Sequence, residues 1–137
     1  ISDFGGLKKS MPIYAGIFLF TSFASIGLPG LNGFVGEFMI LMGSFPTFNV
    51  LSSIAAFGVV LAAIYMLWAY QRMFNGELTN EDNKNVLDLN SKEIVSVAPL
   101  LILMLFIGLY PSFIESYVVQ DVSVIYESIN NTLGLSK

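Results

Sequence analysis

The stretch GLPGLNGFVGEF, residues 27–38, decides how this chain is read. It sets Pro29, the evenly spaced glycines Gly27, Gly30, Gly33 and Gly36, and one carboxylate, Glu37, inside an apolar run. That run covers residues 11–45 and holds no other charge. Proline and glycine break a helix, and at membrane depth a break is tolerated only where protein or a water-filled cavity satisfies the freed backbone groups. A charge at that depth costs on the order of 3 kcal/mol and marks a functional site by default. Glu37 beside a broken helix is therefore the feature to explain.

Composition sets the class. Of 137 residues, 55% are hydrophobic and 12% charged, with a mean hydropathy of +0.73. An ordinary globular domain carries about 25% charged residues, so an all-α integral membrane protein is expected. The absence of cysteine excludes disulfides and thiolate metal sites, and the absence of histidine removes the commonest proton-exchanging group. A net charge of −4 argues against nucleic acid as a partner. The chain starts at Ile1 with no signal-peptide layout, which points to a fragment of a longer subunit.

Working outward, Pro12 suits a first helical turn, and a helix is expected from there to about Ile26, with Thr21, Ser22 and Ser25 bonding back to its backbone. Pro29 cannot continue it. A second piece should start after Asn32 or Gly33, either of which can cap it, and end near Phe45. The two pieces make one broken transmembrane helix over about 12–45. A second helix is expected over 48–74, with Tyr65, Trp68 and Tyr70 as an interfacial belt before Arg72. Small residues there, Ser52 with Ala56 and Gly58 with Ala62, would admit a neighbouring helix.

Residues 75–92 form a polar loop whose acids Glu77, Glu81, Asp82 and Asp88 read as a solvated face. Asn90 with Glu93 resembles a capping box, starting a third helix over 93–112 that contains Pro99. The segment 113–137 is patterned as an amphipathic helix, with Ile114, Val118, Val122, Ile125 and Ile129 on one side.

Charge location sets the topology. If residues 12–45 cross once, Lys8, Lys9, Arg72, Lys84 and Lys92 share one side and only Lys137 lies opposite. Two crossings there would abolish the bias. The positive-inside rule thus favours three transmembrane crossings, the first a discontinuous helix, with the loop cytoplasmic and the C-terminal amphipathic helix external.

At such a break the first half-helix should end in unpaired carbonyls around residues 24–28, and the second should begin with free N–H groups near residues 34–36. The dipole favours an ionised Glu37 and desolvation a neutral one. That balance suits a proton relay, and broken helices at mid-membrane are a recurrent transporter solution. The plainer readings are a permanently protonated packing group, a partner for one structural lysine, or a mere kink. The glycines are no phosphate loop, lacking the Lys-Ser/Thr ending and a preceding strand.

The run FASIGLPGLNGFVGEFMILMGSF resembles the antiporter-like membrane subunits of respiratory complex I, NADH–quinone oxidoreductase. DFGGLKKSMP, WAYQRMFNG and LFIGLYPSFI look like the same family, so the likeness covers nearly the whole chain. It implies a discontinuous transmembrane helix over the first segment, and Glu37 as the last charged residue of a proton path. Many sister subunits carry lysine there. The helix break, Gly27, Pro29, Gly30, Asn32, Gly33 and Gly36, would supply the hydrated interruption.

The resemblance also implies no cofactor in this chain, with NADH, FMN, iron–sulfur clusters and quinone held by other subunits. Its partners would be other membrane-arm subunits, the lipid bilayer and protons, in the bacterial inner membrane or an equivalent energy-transducing membrane. The alternatives are a subunit of a multisubunit Na⁺/H⁺ antiporter or membrane-bound hydrogenase, or a purely structural scaffold segment.

Overall fold

The structure, a computed structural model, describes residues 4–78 and 80–133. Ile1, Lys137 and the side chains of Glu81 and Asp82, all invoked above, lie outside the described residues. The described residues form α1 (Pro12–Ser25), α2 (Asn32–Ser44), α3 (Asn49–Phe74), α4 (Ser91–Leu109) and α5 (Ser112–Leu133), with 3₁₀ turns at Leu7–Lys9 and Glu81–Asn85. They include no strand. Helices appear in each expected segment; α4 stops at Leu109, three residues before the expected 112, and the expected end of the last helix at 137 lies outside the described residues.

Local chemistry accounts for most of these ends. Pro12 opens α1, and Thr21 and Ser22 return hydroxyl bonds to the carbonyls of Ile17 and Phe18. At α4 the reciprocal cap is complete: Asn90 Oδ1 accepts from the N–H groups of Lys92 and Glu93 at 2.9 and 3.0 Å, while Glu93 Oε2 accepts from Asn90 N–H at 2.8 Å. Pro99 sits inside α4, which continues past it although the proline offers no N–H to the ladder. Asn49–Phe74 and Ser91–Leu109 are each long and apolar enough to cross a membrane. At about 1.5 Å per residue, α3 is about 39 Å long, whereas α1 at about 21 Å is too short to span the roughly 30 Å of hydrocarbon.

The small core joins α1 to the end of α3. Phe74 is almost wholly enclosed and stacks on Tyr70 at 5.0 Å, with Phe18 at 5.0 Å and Tyr14 at 5.9 Å between ring centres. Leu7 and Ala15 complete the cluster. Tyr70 is therefore not part of an interfacial belt, as the sequence suggested, because it lies one turn from Phe74 and faces Phe18 at 6.4 Å. Tyr65 and Trp68 are exposed, with the Arg72 guanidinium 4.9 Å above the Trp68 ring.

The N-terminal segment and the polar loop are bonded together. Gly6 N–H donates to Asn75 O at 3.1 Å, and Ser10 Oγ donates to Asn83 O at 2.9 Å. Gly6 has φ +68, and a Cβ there would press on the Glu77–Leu78 backbone. Asp88 corrects a second expectation. Although still partly exposed, it has a structural role: its Oδ2 accepts from Ile13 N–H at 2.7 Å and its Oδ1 from Tyr14 N–H at 3.0 Å, so it caps the start of α1 from 75 residues away. Desolvation raises its pKa, but the N–H groups of Ile13, Leu89 and Tyr14 together outweigh this and hold the carboxyl below its ordinary value. These bonds gather the start of α1, the end of α3 and the approach to α4 at one end of the molecule.

Candidate functional site: the interruption between α1 and α2

The interruption, residues 26–31, is assembled from two local motifs. In the first, Gly27 takes a left-handed φ of +72, its N–H reaches Ala24 O at 3.4 Å, and Leu28 N–H reaches Phe23 O at 3.0 Å. This is the Schellman ending, which favours glycine because a Cβ strains the left-handed conformation. In the second, residues 28–31 make a turn closed by Leu31 N–H on Leu28 O at 3.1 Å. Pro29 and Gly30, at φ +93, occupy the positions a type II turn reserves for them.

The expectation of unpaired carbonyls over residues 24–28 is corrected in part. The Ala24 and Leu28 carbonyls accept bonds within these motifs.

Asn32 is likewise not the cap. Leu31 stands at that position in extended conformation with no side-chain bond, and α2 begins at Asn32 itself. Asn32 Oδ1 is instead a buried acceptor with no hydrogen-bond partner in the structure. Gly33 packs directly on the end of α1: a Cβ there would overlap Ala24 O and lie 3.7 Å from Gly27 Cα. Gly36 needs no such room, with open space where a Cβ would stand.

Glu37 is half-buried and lies over Gly27. A Cβ at Gly27 would overlap Glu37 Oε2 and come within 3.2 Å of its Cδ. The carboxyl that sequence reading singled out thus rests on the left-handed glycine that ends α1. Gly27, Pro29, Gly30, Gly33 and Glu37 form one locus. Asn32 and Gly36 open instead onto a groove between α2 and α5, with a volume of about 310 Å³.

Sequence reading missed two members of this region. Gly108, in the last turn of α4, abuts the interruption so closely that a Cβ would overlap Gly30 O and Leu31 Cα. A single glycine in an apolar run gave no sign of this. Glu115, in the first turn of α5, lines the groove together with Asn32 and a second hollow together with Gly30 and Gly108. The ends of α1 and α4 and the starts of α2 and α5 therefore converge at one level.

Chemically, the locus offers an acid, a left-handed turn and a helix start without a side-chain cap. It can hold a proton or an ordered water. Among the described residues, no group of three or more His, Cys, Asp or Glu could hold a metal ion.

Comparison with known proteins gives a consistent assignment. A family model described as NADH:quinone oxidoreductase/Mrp antiporter, TM, matches residues 1–63. NADH-quinone oxidoreductase subunit M of Rhodobacter capsulatus is 40% identical over 134 residues, which is 98% of this chain and 26% of that protein. The Rickettsia prowazekii subunit M is 40% identical over 97% of this chain and 26% of its own length. The Mycobacterium tuberculosis subunit M is 41% identical over 81% of this chain and 20% of its own length. The chain thus spans about a quarter of the length of the curated relatives it matches. On these likenesses, and on its apolar helices, the chain is similar to part of subunit M of NADH-quinone oxidoreductase, and its first 63 residues match the antiporter-like membrane family model.

Proposed function

We propose that this chain is a portion of a proton-translocating membrane subunit of NADH–quinone oxidoreductase, and that Glu37 takes up and releases the proton. The observation that carries this reading is the Glu37 carboxyl lying over Gly27, at the one place where the first apolar segment is interrupted. In the membrane, α1 and α2 together make a single discontinuous crossing whose two helices sum to about 40 Å without the turn, close to the length of α3. The bonds from Gly6, Ser10 and Asp88 support this, since they hold the start of α1 at the same end as the close of α3. α1 and α2 must then travel from that end to the far one to meet the start of α3.

Three crossings follow, with the polar loop cytoplasmic and α5 toward the outside. The membrane is the inner membrane of a bacterium or an equivalent energy-transducing one. Neighbouring membrane-arm subunits cover the exposed helix faces and lipid the rest. NADH, FMN, iron–sulfur clusters and quinone belong to other subunits.

The matched family description also names Mrp antiporters. That favours one second reading, a subunit of a multisubunit Na⁺/H⁺ antiporter. The experiment is Glu37→Gln in the full-length subunit within its assembled complex, read by proton uptake into inverted vesicles driven by NADH. Proton translocation should fall at least roughly tenfold, in the range expected when a proton-transferring group is removed, while the complex still assembles. Unchanged translocation would leave only the scaffold role, and sodium-dependent translocation without NADH would select the antiporter.

A further inference from the structure

Glu115 is the one ionisable side chain among the residues lining the groove between α2 and α5, and it also lines the hollow bounded by Gly30 and Gly108. The other walls are almost wholly apolar, from Val35, Met39, Ile107 and Val118. Asn32 also lines this groove, while its Oδ1 is enclosed by protein and receives no hydrogen bond. A buried acceptor without a donor costs free energy until a donor arrives, from water or from a protonated acid. A carboxyl can supply that donor in its neutral form and withdraw it when ionised. The groove is roomy enough for waters, and Glu115 is the charged group on its wall.

We propose that Glu115 is a second proton-carrying acid of the Glu37 site, reached through water in the hollows beside the helix interruption. The inference rests on the proposed function. Glu37 faces Gly27, whereas the groove lies along the α2 face of Asn32, Val35 and Met39, so the two acids stand on different sides of α2 with residues 27–31 between them. In the transfer, the O–H bond of neutral Glu37 breaks and its proton passes to water at the interruption. A water in the groove delivers a proton to the Glu115 carboxylate, and Glu115 releases it to water on the α5 side. Glu37 is left ionised, ready to accept the next proton.

A merely structural acid in a first helical turn would favour α5 through the helix dipole. Changing it would lower stability without touching proton flow. The test uses the full-length subunit in its assembled complex, comparing Glu115→Gln, Glu115→Asp and Glu37→Gln by NADH-driven proton uptake into inverted vesicles. E115Q should reduce uptake roughly tenfold, as expected for loss of a proton-transferring group, with assembly intact and E115D keeping most of it. Normal uptake in E115Q, with E37Q defective, overturns the role of Glu115 and leaves that of Glu37. Normal uptake in E37Q removes the underlying reading first. Should E115Q not assemble, E115D decides: a displaced pH profile of uptake supports the proton-carrying role, and an unmoved profile overturns it.

Discussion

Gly108 of α4 lies against the carbonyl of Gly30, at the centre of the turn that separates α1 from α2. The contact is backbone to backbone, so no side-chain rotation can relieve an added methyl group. Gly108→Ala should push α4 off the interruption at a cost of about 1–3 kcal/mol, typical of overpacking in a filled site. The expected result is a lower temperature for loss of the assembled complex in detergent, together with reduced proton translocation.

Gly27 and Gly36 should respond oppositely to the same change. Gly27→Ala forces a Cβ into a left-handed conformation and into Glu37 Oε2, and the conformation alone costs about 1–2 kcal/mol. Gly36 lies within α2 with open space around it, so Gly36→Ala should be neutral or should stabilise by up to about 1 kcal/mol through helix propensity. Thermal stability of the two variants checks this directly. Equal losses in both would mean that the four glycines act as a set and that the left-handed turn has no special part.

Asp88 should make stability depend on acid. Its carboxyl is held below the ordinary carboxylate value in the folded protein, so folding favours the ionised form. That contribution is complete at neutral pH and is lost as pH falls through the folded-state value, below the usual carboxylate range. Asp88→Ala should therefore be less stable than the parent at pH 7, with the gap narrowing on acidification. A gap that stays constant down to strongly acidic pH would contradict the capping role. Asp88→Asn, which keeps a good capping oxygen, should fall between the two.

The reciprocal cap at α4 predicts a loss confined to that helix. Asn90→Ala removes the acceptor for two N–H groups and should cost about 1 kcal/mol. Hydrogen exchange should quicken at Lys92 and Glu93 and leave the Tyr14, Phe18 and Phe74 cluster protected.

What could be read from the sequence was whatever neighbours in sequence decide. Pro12, the Asn90 and Glu93 pair, and the Gly27, Pro29 and Gly30 punctuation each act within a few residues, so the helices and their interruption were legible. Glu37 stood out because a lone charge in an apolar run has few innocent explanations. The errors concern distance and facing. Asp88 was assigned to solvent because its partners, Ile13 and Tyr14, are 75 and 74 residues away. Tyr70 was assigned to a belt because composition places an aromatic near a helix end without saying which way it turns. Asn32 and Gly33 are both acceptable caps by residue type, yet Leu31 takes that position, since the choice depends on where the backbone leaves extended geometry. Gly108 and Glu115 gained meaning only when α4 and α5 were laid against the turn.

The convergence of four helix ends has an electrical consequence. Helix ends that stop at a common level leave terminal N–H and C=O groups there, outside the regular ladder. In a bilayer, an applied voltage would fall partly on each side of that level. An ion lodged at that level would sense a fraction of the roughly 2.3 kcal/mol per 100 mV that a full crossing represents.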